Sequence, residues 1–440
     1  MNLISVSRNY RSFIIVFCFV CKVIFANAQS VTLTVDLDFD TDNMARAVRV
    51  IDLSAYKNRD FIAVSVVIEG EGLDRDGIKG YIKTNKTHIL TPSHEGERTS
   101  NRYTSELCFL KPEEAVLSEL SIDAGINNAL LDQIKGKLRI FIPESVDLKS
   151  AGLHPHRHIL EDSCNCTGLP YITRNVWGTA FHLDSSIYIK PAVYTKVTHL
   201  IIHHSAGTNF SDNWAGVVAA YFDYHVNSNG WQDIGYNWLI DPNGVLYEGR
   251  GGGDNVQGAH MCGYNRNSMS VCMLGNFEVT TPTDTMTNTL IRLLGYKACK
   301  DNINPLGDGD IASYPGHMFN ISGHKDGCSP GYTSCPGKFL YAELNGIRNA
   351  THQYIEDACD SLSDTKDYLS HSVLYPNPAT HTICGLNNVF RLTNIYGQEM
   401  DVVYPFREEN CIDISGLQPG RYFVRQIENG HVMISSFIKI

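Results

Sequence analysis

Within the stretch Gly323 to Gly337, GHKDGCSPGYTSCPG, His324 and Cys335 stand eleven residues apart around a loop rich in Gly, Pro and Ser. Imidazole nitrogen and thiolate sulfur suit a borderline-soft ion such as zinc, and a loop lets both reach one ion. A third donor lies upstream in Leu200-Ile-Ile-His-His-Ser-Ala-Gly207, an apolar run that reads as a buried strand and ends in His203 and His204. Side chains alternate along a strand, so these histidines face opposite ways and only one is expected to ligate. Three protein donors with a fourth position left open is the pattern of a catalytic zinc site. Cys328, inside the same loop, is a competing thiolate.

The elements that must position these donors mix strands with helices. Thr198 to His203 and Tyr236 to Ile240 read as strands, and Asn213 to Val226 and Asp284 to Lys300 as helices. The first helix puts Val217, Ala220, Tyr221, Tyr224 and His225 on one apolar stripe, so His225 reads as a packed helix-end histidine rather than a ligand.

Between these elements run Gly230-Trp-Gln-Asp-Ile-Gly-Tyr-Asn-Trp-Leu-Ile240, Gly244-Val-Leu-Tyr-Glu-Gly-Arg250, Gly258-Ala-His260, Gly263-Tyr-Asn265 and Gly275-Asn-Phe277. In that order the segments resemble the N-acetylmuramoyl-L-alanine amidases that include peptidoglycan recognition proteins and phage lysozyme-type enzymes. The resemblance begins near Tyr171-Ile-Thr-Arg-Asn-Val-Trp-Gly178 and ends near Asp360. It implies an α/β fold, a mixed central sheet flanked by helices, and a zinc ion held by His203, His324 and Cys335. His204 falls outside the motif position. Tyr236 matches the family's active-site tyrosine, and Thr333 the polar residue found two positions before the thiolate in catalytic members.

The implied reaction is hydrolysis of the amide between N-acetylmuramic acid and L-alanine in peptidoglycan or muropeptides. Such chemistry needs a nucleophile at neutral pH and stabilisation of an oxyanion, to which Tyr236 and Thr333 are candidates to contribute. Cys272 stands where some amidases of the wider family place a glutamate, which speaks against a glutamate base. Arg250, Asn255, His260 and Tyr264 are candidate lining residues for a glycopeptide groove. The loop from His324 to Cys335 is about three residues longer than the family's usual pattern. The alternative is a non-catalytic recognition module; loss of the thiolate is its usual sign, and this chain keeps its cysteine.

At 440 residues the chain has room for about three domains. A hydrophobic content of 43% and a charged content of 19% are ordinary for globular proteins. The net charge of −11 argues against a nucleic-acid partner, whose protein footprint is basic. Arg8 and Arg11, the apolar run Phe13 to Cys21 and the Ala26-Asn-Ala28 site read as a signal peptide over 1–28, which predicts a secreted or outer-membrane surface protein. Of thirteen cysteines, Cys18 and Cys21 leave with that segment; if Cys335 binds metal, ten remain for disulfides, and Cys384 with Cys411 is the expected local pair.

Residues 29–150 read as a β-sandwich accessory domain. Leu33, Val35, Leu37 and Phe39 alternate with Thr32, Thr34, Asp36, Asp38 and Asp40, and the acids read as solvated rather than as a calcium site. Phe61 to Val67 and Lys137 to Ile142 are further strands, and no catalytic constellation is visible there. Residues 151–169, with His154, His156 and His158, read as a linker, followed by the amidase-like domain over 170–360 and a polar linker over 361–372. Residues 373–440 read as a second small β-sandwich, opening on Tyr375-Pro-Asn-Pro378 and carrying Leu417-Gln-Pro-Gly-Arg-Tyr422. This segment resembles the C-terminal sorting domains of type IX secretion, which implies that secretion machinery as a partner.

Overall fold

The computed structural model describes residues 30–39, 46–71, 73, 77–95, 101–112, 117–123, 134–144, 158–159, 169–184, 188–253, 255–311, 314–359, 374, 379–384, 390–394, 400, 411–428 and 431–440. The expected signal segment, His154, His156 and the Tyr375 to Pro378 motif lie outside the described residues. Contacts divide the chain into two units, Met1–Ser361 and Leu362–Ile440.

The first unit opens with strands β1 (Val31–Leu37), β2 (Arg46–Asp52), β3 (Ile62–Glu69), β4 (Lys79–Lys83), β5 (Thr87–Leu90), β6 (Arg102–Thr104), β7 (Cys108–Leu110), β8 (Leu117–Asp123) and β9 (Lys135–Ile142). They form two antiparallel sheets, one ordered β1-β9-β3-β6 with β7 also on β3, the other β2-β8-β4-β5. Ile62, Val64, Leu138 and Ile140 of the first sheet share a core with Ala47, Ile82, Leu90 and Ile122 of the second. Strand β3 is buried on both faces, which explains its unbroken apolar run. Its second face packs on the region that follows: Phe61 and Ala63, with Leu107 and Phe141, join the core there.

That region is built on a sheet of β10 (His158–Ile159), β11 (Pro170–Ile172), β12 (His199–His204), β13 (Trp238–Ile240), β14 (Leu246–Glu248), β15 (Ser268–Met273) and β18 (Ile321–Gly323), with β16 (Asp308–Asp310) and β17 (His317–Phe319) as a separate pair. The spatial order is β10-β11-β14-β13-β15-β12-β18, with parallel and antiparallel pairs both present. His158, expected in a linker, instead pairs with Tyr171 at the sheet edge. Helices Trp214–Asp223, Asp284–Asp301 and Lys338–Cys359 pack with this sheet in one core. Asn213 caps the first, its side chain accepting from the Gly216 amide at 2.8 Å, and Thr283 caps the second. The first continues past Asp223 through a wider helical turn over Tyr224–Ser228, which ends beside the N-terminal sheets. Tyr224 Oη donates to the Ser105 carbonyl at 2.8 Å, and Asn213 Nδ2 donates to Asp60 and to the Glu144 carbonyl.

The second unit contains β19 (Thr382–Cys384), β20 (Phe390–Asn394), β21 (Cys411–Asp413), β22 (Gly420–Glu428) and β23 (His431–Lys439) in a two-stranded and a three-stranded sheet. Ile383, Leu392, Ile412, Tyr422, Val424 and Phe437 form its core, and Cys384 is bonded to Cys411. Among the described residues no helix is long and apolar enough to cross a membrane.

Candidate metal centre

Parallel pairing sets the two histidines side by side. Strand β12 lies between β15 and β18, and Ile202 is opposite Gly323, so His203 and His324 follow as neighbours at the ends of adjacent strands. Their ring centroids are 4.4 Å apart. The loop after His324 then folds back, with the Lys325 amide donating to the Cys335 carbonyl at 2.9 Å. Asp326 closes it by accepting from the Gly323 amide at 2.9 Å and from Tyr341 Oη at 2.7 Å. Gly323 is required by closeness: a β-carbon there meets Pro336 Cδ at 2.7 Å.

His203, His324 and Cys335 thereby bring one donor atom each within 4.8 Å of one another. All three are buried, as is Tyr236, whose ring centroid lies 5.2 Å from that of His203. Two buried polar atoms at the site are left without a partner. His324 Nδ1 and Tyr236 Oη are sealed from solvent and have no hydrogen-bond partner among the described residues, a state that costs free energy unless something completes it. The donor set, two imidazoles and one thiol, fits zinc.

Hydrogen bonds select the tautomers this requires. His203 Nε2 lies 3.1 Å from His260 Nδ1, His260 Nε2 lies 3.2 Å from Ser268 Oγ, and Ser268 Oγ donates to the Asn265 carbonyl at 2.9 Å. Since that serine proton is committed to Asn265, His260 Nε2–H donates to Ser268, and His203 Nε2–H donates to His260. The lone pair of His203 Nδ1 is left facing Cys335 Sγ at 3.7 Å. Burial, with His324 and His260 beside it, holds the pKa of His203 well below the ordinary imidazole range. His324 is held well below it by burial and by His94. Both rings are therefore neutral, as ligands must be. Burial pushes the Cys335 thiol up, while His94 and the His204 amide, which donates to Sγ at 3.4 Å, pull it down.

His204 points elsewhere, its Nδ1 accepting from the Phe277 amide at 3.2 Å. Thr333 Oγ1 accepts from the Cys335 amide at 3.1 Å and so braces the thiol loop. Of the groove candidates, His260 is buried behind His203, and Arg250 is buried with Nη1 3.4 Å from the Ile234 carbonyl; neither side chain lies along an open groove. Asn255 is exposed and bonded to Lys297, and Tyr264 is half-buried against Tyr314. Cys328 is removed from competition as a thiolate by a disulfide to Cys262. His225 is not a ligand: Nδ1 accepts from the Gly235 amide and Nε2 lies 2.5 Å from Glu95 Oε2.

Glu95 belongs to the N-terminal sheets, where the sequence shows no chemistry, and this is the main correction. His94, Glu95 and Glu106 all reach the site. His94 Nδ1 is 2.6 Å from Glu106 Oε1, and the His94 ring centroid is 5.6 Å from that of His204 and 6.5 Å from that of His324. Burial opposes its charged form, but Glu106, Cys335 and Glu95 outweigh burial and hold its pKa well above the ordinary range. A His-Glu dipeptide after a short strand is too common a pattern to have flagged them.

Residues 193–338 match the family described as N-acetylmuramoyl-L-alanine amidase. Peptidoglycan-recognition protein SC2 of Drosophila simulans is 31% identical over 185 residues, which cover 41% of this chain and 88% of that protein. Peptidoglycan-recognition protein SC1a of Drosophila melanogaster is 34% identical over 153 residues, 34% of this chain and 73% of that protein. Among solved structures, wild-type Drosophila PGRP-LB aligns at 26% identity with a TM-score of 0.32, covering 39% of this chain and 91% of that one.

Proposed function

The chain belongs to the N-acetylmuramoyl-L-alanine amidase family that includes the peptidoglycan-recognition proteins, and from that premise we propose that it is a zinc-dependent amidase of peptidoglycan. The bond cut is the amide between N-acetylmuramic acid and L-alanine. The observation that carries this reading is the convergence of His203, His324 and Cys335 within 4.8 Å beside the unpartnered hydroxyl of Tyr236. A recognition module has no use for a complete donor set.

His203, His324 and Cys335 hold the ion. When bound, zinc supplies Lewis acidity that polarises the amide carbonyl and makes water nucleophilic near neutral pH. Every other role falls to side chains. His260 and Ser268 hold the His203 ring with its Nδ1 lone pair inward. Tyr236 Oη donates to the oxyanion that develops on the scissile carbonyl. Thr333 keeps the Cys335 backbone in place and retains a hydroxyl proton to donate to substrate. Asn255 and Tyr264, at the surface, are the groove candidates that remain available to the glycopeptide.

The flanking segments fit an exported enzyme. Residues 1–28 act as a signal peptide, and the unit Leu362–Ile440, with its Leu417 to Tyr422 pattern, acts as a type IX sorting domain that brings the protein to the outer surface. The two N-terminal sheets act as a β-sandwich that supports the site.

The test is metal content and muropeptide release on one preparation of the full chain beside Cys335→Ala. About one zinc per chain and peptide release, both lost in the variant, is the expected result. Binding to peptidoglycan with no zinc and no release identifies a recognition module and overturns the amidase reading.

A further inference from the structure

The His324 ring belongs to two sets of donors. It brings a donor atom within 4.8 Å of those of His203 and Cys335, and likewise of those of Cys262 and Cys328. The second pair of sulfurs is joined as a disulfide. Such a sulfur has no proton, so Cys262 Sγ, 3.8 Å from His324 Nε2, can only accept, and the ring proton sits on Nε2. The lone pair is left on Nδ1, the buried atom with no partner among the described residues. The bridge thus selects the tautomer that the centre with His203 and Cys335 needs.

Opening the bridge reverses that relation. Cys262 and Cys328 become thiols, and as thiolates they make with an imidazole another donor set that zinc accepts. Neither sulfur has far to move, because other contacts fix its segment. Asn265 Oδ1 accepts from the His260 and Met261 amides at 2.7 and 2.9 Å, just before Cys262. Asp326, two residues before Cys328, accepts from the Gly323 amide and from Tyr341 Oη, and its carbonyl accepts from Tyr314 Oη at 2.9 Å. Between them Gly327 lies so close to Met261 that a β-carbon there would collide with the methionine sulfur. Cys262 is partly exposed and Cys328 buried, so an attacking thiol meets Cys262 and Cys328 leaves.

We propose that Cys262 and Cys328, once reduced, form with His324 a second zinc site that takes the metal from His203 and Cys335, so that the bridge is a redox switch on the amidase. The inference rests on the metal-centre reading above. A neutral imidazole has one lone pair, so His324 serves one centre at a time. Zinc favours the set with two thiolates over the set with one. A small dithiol supplies the two electrons and two protons: one of its sulfurs displaces Cys328 from Cys262, the other then displaces Cys262, and the reagent leaves as a cyclic disulfide. Metal binding releases the two thiol protons.

The test titrates cobalt(II) into the full chain, oxidised and after reduction by a small dithiol that is then removed without air, with a thiol count confirming that the bridge is open. Wild type is compared with Cys335→Ala and with the double variant Cys262→Ser with Cys328→Ser, each checked for folding by circular dichroism. Oxidised wild type is expected to show the sulfur-to-cobalt absorption of one thiolate, and reduced wild type about twice that intensity. Cys335→Ala shows no such band when oxidised and the two-thiolate band when reduced, and the double variant gives one spectrum with or without dithiol. Muropeptide release by the zinc protein is lost on reduction and returns on reoxidation. If reduced Cys335→Ala shows no sulfur band and reduction leaves the wild-type spectrum as it was, the second site is wrong while the amidase centre stands. If oxidised wild type binds no cobalt, the amidase centre falls and the switch with it.

Discussion

Tyr236 shows how one side chain is held ready at the expense of its own hydrogen bonding. Its carbonyl accepts from the Arg250 amide at 2.7 Å. The next residue, Asn237, is locked to Ser270 and to the Val256 carbonyl. The backbone is thus fixed while the hydroxyl stays unpartnered among the described residues. A donor that needs no reorganisation when charge develops contributes about 3–4 kcal/mol. Tyr236→Phe is therefore expected to lower the turnover of muropeptide release by about 100- to 1,000-fold while zinc content is unchanged. Steady-state kinetics beside metal analysis decides it. Turnover within a factor of two or three of wild type removes Tyr236 from the mechanism.

At the scale of elements, the thiol loop is held by positions with no room for a side chain. Gly337 has φ of 90°, and a β-carbon there meets the Phe277 carbonyl carbon and oxygen at 2.4 and 2.7 Å and the Glu278 nitrogen at 2.8 Å. Gly337→Ala then combines left-handed strain with a clash that cannot relax, and is expected to cost on the order of 3 kcal/mol, read as a lower denaturant midpoint. A midpoint equal to wild type contradicts the packing. The turn joining β13 to β14 makes a separate prediction. Burial pushes Asp241 up to about 6, against hydrogen bonds from Val245, Tyr247 and Asn243. An unfolded aspartate titrates near about 3.9. A carboxyl raised on folding gives stability that is fully present below the unfolded value and is lost as pH rises through the folded one. Between about pH 4 and 6 the protein loses about 3 kcal/mol from this group. Asp241→Asn, which keeps an acceptor for the turn amides, is expected to flatten that slope; urea midpoints measured across the window test it, and parallel curves for the two proteins rule it out.

For the first unit as a whole, the cross-link and the shared core matter most. Cys262–Cys328 ties the segment after His260 to the His324 loop across 66 residues, and Cys262 Sγ lies 3.8 Å from His324 Nε2. Closing a loop of that length in the unfolded chain is worth about 4 kcal/mol at most. The double variant Cys262→Ser with Cys328→Ser is expected to unfold at clearly lower denaturant and to hold zinc less tightly, because the bridge lies against the His324 ring. Unchanged midpoint and unchanged metal affinity together show that the bridge is incidental. The core joining Phe61, Ala63, Leu107 and Phe141 to Trp214 and Tyr221 makes the N-terminal sheets part of this unit. Phe109 lies between the two parts, its ring centroid 5.2 Å from that of Phe61 and 5.9 Å from that of Tyr221.

His203, His324, Cys335 and Tyr236 were legible in the chain itself, because short ordered motifs carry the donor types and the strand and loop that hold them. The two antiparallel sheets were legible from alternation, and Cys384 with Cys411 from proximity in one small segment. The role of His260 was not, since a motif position does not say whether a side chain faces the groove or the back of a ligand. Nor was the widening of the last helical turn over Tyr224–Ser228, which ends against the N-terminal sheets, because the apolar stripe does not say what the helix end meets. His94 and Glu106 lie more than two hundred residues before Cys335 and belong to no motif. Sequence determined which residues could bind a metal and which faces of its strands were apolar. Tertiary structure alone decided what covers those faces, because periodicity specifies the direction a side chain takes and only packing supplies the partner it meets.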